Sequence, residues 1–223
     1  TAAPVRVNNA GMARREVKVE APELRLDPEG IMESLDWTEA FGVAGPVEVE
    51  VGIGKGRFLL AAAELRPEVR MLGVEWANRY LRIVERRAER RGLENVRFVR
   101  VDARDLVARA IADASVCTYY VFYPDPWPKK RHHKRRFFWP PTPDHLGRTL
   151  EDDGLVHVAT DHVDYWAMIE PAMDGHAAFE RLPAFGGPTF PLPVEEPLTN
   201  FEAKYRVQGR DRLRGSWRRL PRG

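Results

Sequence analysis

Residues 46–67 read PVEVEVGIGKGRFLLAAAELRP, and the fold turns on how they are read. A β-branched run from Pro46 to Gly52 is ended by glycines, and the alanines and leucines of RFLLAAAELRP favour helix until Pro67. The unit is strand, turn, helix. It recurs as VRMLGVE (69–75) with a long Arg/Glu helix to Arg91, and as NVRFVRVD (95–102) with a short helix through Ile111. SVCTYYVFY (115–123) is a further strand. A basic loop and a helix around Pro143 to Glu151 lead to GLVHVATD (154–161), which feeds the helix HVDYWAMIEPAM. Strands alternating with helices imply a parallel sheet covered on both faces, because parallel neighbours need crossover connections. Past Ala177, HAAFERLPAF and FEAKYRVQGR read as two edge strands separated by a Pro/Gly-rich link, paired antiparallel. The expected fold is α/β: an open doubly wound, mostly parallel seven-stranded sheet with an antiparallel C-terminal edge.

At 223 residues and 43% apolar content, the chain holds enough material for one such domain and too little for two. Residues 1–40 lack sustained periodicity and read as a loosely ordered arm, ending in a short helix near Ile31 to Phe41. Residues 41–209 form the domain, and 210–223 read as a basic C-terminal tail. With a net charge of only +2, the placement of charge says more about partners than its sum. Cys117, the single cysteine, lies in an apolar run and reads as a small buried hydrophobe. No apolar run approaches the roughly 20 residues of a membrane span, no Cys/His spacing resembles a zinc site, and no signal-peptide pattern is present. The expectation is a cytoplasmic protein without membrane or metal partners, monomeric or homodimeric.

In an open parallel sheet, ligands bind beyond the carboxyl ends of the strands. Four of those ends read EVGIGKG (50–56), GVE (73–75), VDA (101–103) and PDP (124–126), and each carries an acid. Gly52, Gly54 and Gly56 make G-x-G-x-G; the dinucleotide fingerprint needs its third glycine at 57, where this chain has Arg57, so NAD is disfavoured. A cofactor without a pyrophosphate does not need that spacing. Glu75 is placed to accept hydrogen bonds from ribose hydroxyls, Glu50 faces an amino group, and Asp102, followed by Ala103, stands near an adenine amine. That set fits S-adenosylmethionine. Any one of these acids reads as readily as a helix cap or a solvated turn residue; the argument rests on the four together.

FYPDPWPKKRHHKRRFF (122–138) joins a rigid turn to a cationic run. A charge run alone describes a solvated surface as well as a nucleic-acid site. Here the prolines at 124, 126 and 128 fix φ three times, so Asp125 and Trp127 are held with little entropy left to lose. Such a turn can aim a carboxylate and a flat apolar face at a base, while the cations grip flanking phosphates through a salt-sensitive, sequence-independent attraction. The arginine-rich helix RYLRIVERRAERR (79–91) sets Leu81, Val84 and Ala88 on one face, and reads as a packing element with its arginines outside.

PDPWPKKRHHKRR, with VEVGIGKG, GVE, ATD and TNFEAKY, closely resembles the bacterial tRNA (guanine-N7)-methyltransferases over residues from about Pro46 to Gly209. The PDPWPKKRHHKRR block is specific to that family, whereas the glycine loop is shared with many methyltransferases. The resemblance implies a class I, Rossmann-like methyltransferase with S-adenosylmethionine as cofactor and tRNA as partner, methylating N7 of the variable-loop guanosine at tRNA position 46. By the same resemblance Glu50, Gly52, Gly54, Gly56, Glu75, Asp102, Ala103 and Asp125 contact the methyl donor, and Asp125 is also the active-site residue. Lys129, Asp161, Thr199, Asn200, Phe201 and Glu202 match positions that serve the tRNA substrate, and Arg131, His132, His133, Lys134, Arg135 and Arg136 match an RNA-binding block. The arginines from Arg210 to Arg222 are a candidate second patch for tRNA. Two other readings stay open. One is a methyltransferase acting on an exocyclic amine, which would use an [N/D]-P-P-[F/Y] turn where this chain has PDPW. The other is a non-catalytic or different-specificity RNA-binding relative, against which the four acids and the glycine loop stand.

Overall fold

The computed structural model describes residues 24–207, 209 and 212–223. The chain enters along the sheet edge: Leu24 O accepts the N–H of Phe98 at 2.8 Å, and Leu26 donates to Phe98 O at 2.8 Å. Two short helices follow, α1 (Pro28–Glu33) capped by Asp27 and α2 (Trp37–Phe41) capped by Asp36 and closed by left-handed Gly42. Ile31 and Phe41 are buried in the core, and Arg97 reaches across to Ala40 O at 2.8 Å. From Leu24 onward, then, the expected arm is fastened to the domain; residues 1–23 of it lie outside the described residues.

The alternation then runs as the sequence predicts: β1 (Val47–Val51), α3 (Arg57–Leu65), β2 (Arg70–Val74), α4 (Asn78–Arg91), β3 (Val96–Val99), and α5 (Ala103–Asp105), which continues as a π-helical turn over Leu106–Ala110. β4 (Val116–Phe122) leads through the basic turn to α6 (Thr142–Thr149), β5 (Leu150–Thr160) and α7 (Val163–Asp174). β6 (Phe179–Arg181), α8 (Asn200–Arg206) and β7 (Leu213–Arg219) complete the chain. The seven strands lie in the order β3-β2-β1-β4-β5-β7-β6, parallel through β5, with β7 antiparallel to both of its neighbours. The order reverses direction between β1 and β4, which opens a crevice beyond their carboxyl ends.

Two apolar layers flank the sheet. Val47, Val49 and Val51 face one of them, built with Leu146, Tyr165 and Ile169 of α6 and α7. Phe58 and Leu59 of α3 and Leu81, Val84 and Ala88 of α4 fill the other, as the arginine-helix pattern predicts. By strand alternation Glu48 and Glu50 point to this second layer.

The C-terminal edge differs from expectation. FEAKYRVQGR is not an edge strand; α8, starting at Asn200, runs into it, because Thr199 Oγ1 accepts the N–H of Glu202 at 3.0 Å and Glu202 Oε2 reaches back to the N–H of Leu198 at 2.9 Å, a close variant of the helix-starting capping box. The strand that pairs with β5 and β6 is β7, inside the stretch taken as a basic tail. Its Gly215, Ser216 and Trp217 are buried, and the flanking arginines disguise them. β5 also starts earlier than GLVHVATD, at Leu150, with a register shift opposite Val116 and Thr118. Among the described residues no helix is long and apolar enough to cross a membrane, and no group of three His, Cys, Asp or Glu could hold a metal ion.

Candidate active site

A cleft of ≈ 860 Å³ opens at the carboxyl ends of β1, β2, β3 and β4. Glu50, Gly52, Gly54, Glu75, Asp102, Ala103 and Asp125 all line it. Gly52, Gly54 and Gly56 have φ of 76°, 51° and 70°, a region that side-chain-bearing residues rarely adopt. They serve different ends. A Cβ at Gly56 would lie 2.7 Å from Cγ1 of Val84, so that glycine permits α3 to approach α4; a Cβ at Gly52 or Gly54 would meet nothing within 4 Å. The loop between β1 and α3 therefore leaves open space where its backbone borders the cleft.

Glu50 is 2% exposed, and its Oε2 has no hydrogen-bond partner. Burial pushes its carboxyl well above the usual carboxylate range, the backbone N–H of Leu59 opposes the shift, and the charge of Glu75 adds to it. Glu75 braces the loop: Oε2 accepts from the N–H of Gly54 at 2.9 Å and Oε1 from that of Ala77 at 2.8 Å. Each oxygen keeps a further lone pair. Asp102 caps α5 through the N–H of Arg104 at 2.9 Å and also receives the Arg104 guanidinium at 2.7 Å. Burial raises its pKa, but the hydrogen bonds and charge of Arg104 outweigh that, and the net shift is downward.

Asp125 projects exposed from the rim between two residues of positive φ, Tyr123 at 52° and Trp127 at 43°. Non-glycine residues in this region cost about 1–2 kcal/mol each; the strain sits on both sides of the acid that the proline turn presents. The Trp127 ring lies edge-on to His132 at 5.9 Å and under the guanidinium of Arg135 at 5.1 Å. The basic run forms a 3₁₀ helix (Lys130–Arg135). Lys129, Arg131, Lys134 and Arg135 are exposed on this turn, and His132 and His133 are half-buried.

Of the residues expected to serve the substrate, Arg135, Thr199, Asn200 and Phe201 line the cleft itself, with the Phe201 ring 5.3 Å from that of Tyr123. Asp161 is half-buried just after β5 and is not among the lining residues. Two of the residues expected to serve the substrate are buried. Arg136 is 2% exposed; its Nε donates to Pro126 O at 2.7 Å and its guanidinium lies over the Tyr165 ring, so it fastens the proline turn from within. Glu202 is also 2% exposed, holding Leu198 N–H together with Arg212 and Arg214. These contacts stabilise the start of α8. Of the C-terminal arginines expected as a second patch, Arg210 lies outside the described residues, Arg218 pairs with Glu180, and Arg219 and Arg222 pair with Asp152.

The cleft also draws on residues not expected to serve it, among them Trp76, Arg104 and Phe137, and Arg79 and Tyr80 from the helix read as a packing element. Trp76 is largely exposed, 66%, directly after the strand-end Glu75, with Arg100 over its ring at 5.4 Å. An aromatic following a strand-end acid was a signal available in the sequence. Arg104 was hidden by a short, polar helix with no pattern of its own.

Residues 44–214 match a family model described as "Putative methyltransferase". A tRNA (guanine-N(7)-)-methyltransferase of Mycobacterium avium is 39% identical over 195 residues, covering 84% of this chain and 74% of that protein. One from Leifsonia xyli is 36% identical over 187 residues, covering 84% and 82%. Among solved structures, the antibiotic-resistance methyltransferase Kmr superposes with a TM-score of 0.54 at 18% identity, covering 85% of this chain and 96% of that one. A SAM-dependent O-methyltransferase from Thermotoga maritima gives 0.51 at 15% identity, covering 89% and 67%. At such identities the likeness is one of fold, a class I methyltransferase sheet. Sequence similarity over most of both chains is the narrower criterion, and by it this chain belongs to the tRNA (guanine-N(7)-)-methyltransferase family.

Proposed function

We propose that this protein transfers a methyl group from S-adenosylmethionine to N7 of a guanosine in tRNA, the variable-loop guanosine at position 46. The observation that carries the reading is a buried, unpartnered carboxylate oxygen on Glu50, set beside a glycine loop with open space and on the same cleft as an exposed cationic turn. A buried carboxylate oxygen without a partner is costly, and a ligand cation is what that position lacks. The α-ammonium of S-adenosylmethionine supplies one. The residues present fit the rest of that molecule as well: Gly52 and Gly54 admit it close to the backbone, Glu75 keeps lone pairs for ribose hydroxyls, and Asp102 with Ala103 borders the place for adenine.

When bound, S-adenosylmethionine supplies an electrophilic methyl group on a sulfonium centre. Guanine N7 carries a free lone pair, so no residue of this chain has to remove a proton. The protein's task is positioning, which can contribute about 7–11 kcal/mol when nucleophile and electrophile are held in near-attack geometry. Asp125, stiffened by its prolines, accepts hydrogen bonds from the N–H edge of the guanine and turns N7 toward the cleft. The methylated base is cationic, and the rim acids meet that developing charge. Lys129, Arg131, Lys134 and Arg135 hold flanking phosphates, a grip that weakens with salt. The compartment that goes with this reading is the cytoplasm, where the substrate is found.

The experiment is transfer of labelled methyl to unfractionated tRNA, followed by borohydride reduction and aniline cleavage, which cuts at N7-methylguanosine. A labelled break in the variable loop is expected. Label retained on an exocyclic amine, or none transferred, would remove the proposal.

A further inference from the structure

Arg104 stands between the two halves of the site. Its Nε and Nη2 donate to Oδ1 and Oδ2 of Asp102 at 3.2 and 2.7 Å, while its Nη1 donates to the backbone carbonyl of Lys134, in the last turn of the cationic 3₁₀ helix, at 2.5 Å. A single planar side chain thus joins the acid after β3 to the turn after β4, thirty positions along the chain. The turn has its own internal ties, Arg136 to Pro126 O and Arg135 over Trp127, but among the hydrogen bonds of the described residues Arg104 is the one that fastens it to the rim acid. A guanidinium can do this because its donors diverge in a rigid plane; an ammonium is a point charge on a flexible stem and cannot hold a carboxylate and a distant carbonyl in one fixed geometry.

We propose that Arg104 is a positioning residue that couples the donor site to the tRNA site, an inference that rests on the function proposed above. tRNA bound across the exposed cations fixes the turn, and with it the Lys134 carbonyl. The fixed carbonyl holds the Arg104 fork, and the fork orients the Asp102 carboxylate toward the donor. The bridge itself is the link: were the guanidinium released from the Lys134 carbonyl, the turn would no longer constrain Asp102. Coupling of this kind is reciprocal: whatever factor tRNA adds to donor affinity, the donor adds to tRNA affinity. Such factors commonly run from about 5 to 150.

The test is isothermal titration of the full chain with S-adenosylhomocysteine, alone and in the presence of saturating unmodified tRNA transcript. In the wild-type protein tRNA should tighten the nucleoside by about fivefold or more. Arg104→Met and Arg104→Lys should both bring that ratio close to one. The Arg104 side chain is 33% exposed on a three-residue helix, so the core is left intact. Lys134→Ala removes a cation but keeps the carbonyl; it should weaken tRNA binding and preserve the ratio. A wild-type ratio of one, a wild-type ratio surviving in Arg104→Met, or a ratio lost in Lys134→Ala overturns the inference while leaving the proposed function standing. A wild-type chain that bound neither ligand would overturn both.

Discussion

Glu48 and Glu50 sit two residues apart on β1, point to the same face of the sheet, and are both buried, 6% and 2% exposed. Near the start of the strand, Glu48 is saturated: Arg66 grips it with Nη1 at 2.8 Å and Nη2 at 2.6 Å, and the Tyr120 hydroxyl donates at 2.9 Å. Near its end, Glu50 has an oxygen with no partner at all and a carboxyl pushed toward the neutral form. The contrast separates an acid satisfied within the fold from one left with an unpaired oxygen beside the cleft. Both are buried in the same layer, but Glu48 is gripped by a guanidinium and a hydroxyl, whereas Glu50 has the Leu59 N–H on its carboxyl and nothing on Oε2. Under the function proposed above, a ligand cation would meet Glu50.

The comparison breaks most visibly at its structural end. Glu48→Ala leaves the Arg66 guanidinium buried opposite an empty space and removes the acceptor of the Tyr120 hydroxyl, and stripping one partner from a buried ion pair costs about 3–5 kcal/mol. Chemical denaturation should show a loss of that size. The fraction still folded should bind S-adenosylhomocysteine with an affinity close to the wild type, because neither Glu48 nor Arg66 borders the cleft.

Glu50→Gln should do the reverse. Removing the charge that a ligand cation would meet weakens S-adenosylhomocysteine by about ten- to a hundredfold, the range expected for a charge-assisted hydrogen bond. Stability of the ligand-free protein should rise. The sign follows from the direction of the shift: a carboxyl whose folded-state pKa is raised stabilises the fold below its unfolded pKa and loses that contribution as pH climbs through the folded one. The wild type bears this loss and the glutamine variant does not. The stability gap between them should therefore widen from the ordinary glutamate range upward and close in acid. A gap independent of pH would mean that Glu50 is already paired in the free protein.

How much of this contrast was legible beforehand follows from where each partner lies. The alternation of strand and helix is written in local pattern, and so are the strand-end acids, since both depend on neighbours a few positions away. VEVEV, by contrast, presents two identical glutamates. What distinguishes them is Arg66, 18 positions on, and Tyr120, 72 positions on, brought together only by α3 and by the pairing of β1 with β4. The same holds for Arg135 and Arg136: adjacent in a uniform cationic run, one lines the cleft and the other is buried against Tyr165. β7 was lost for the opposite reason, since its arginines carry a strong local signal of exposure, yet Trp217 and Ser216 between them are what the sheet buries. Local charge reports solvent contact poorly wherever long arginine side chains can fold back onto acids such as Asp152 and Glu180.

A third buried titratable group sharpens the comparison by the smallest measurable step. His157 of β5 stacks on the Tyr120 ring at 5.4 Å, and its Nδ1 lies 2.7 Å from Ser216 Oγ, so it belongs to the same sealed network as Glu48. Burial, with a smaller contribution from the Arg66 charge, lowers its pKa to about 3. In the unfolded chain this imidazole takes up its proton near the ordinary histidine value of about 6.5; in the fold it stays neutral far below that. Stability tied to His157 is thus fully present above the unfolded value and declines as pH falls toward about 3, with a limiting slope of about 1.4 kcal/mol per pH unit. His157→Asn keeps a hydrogen-bonding group for Ser216 and removes the titration. Its absolute stability should be lower for want of the ring stack, yet its stability should fall less steeply between pH 6 and 4 by about one proton's worth of slope. Equal slopes in the two proteins would show that the lower half of the layer admits a proton, and that closure to charge is not what separates Glu48's end of the strand from the open end at Glu50.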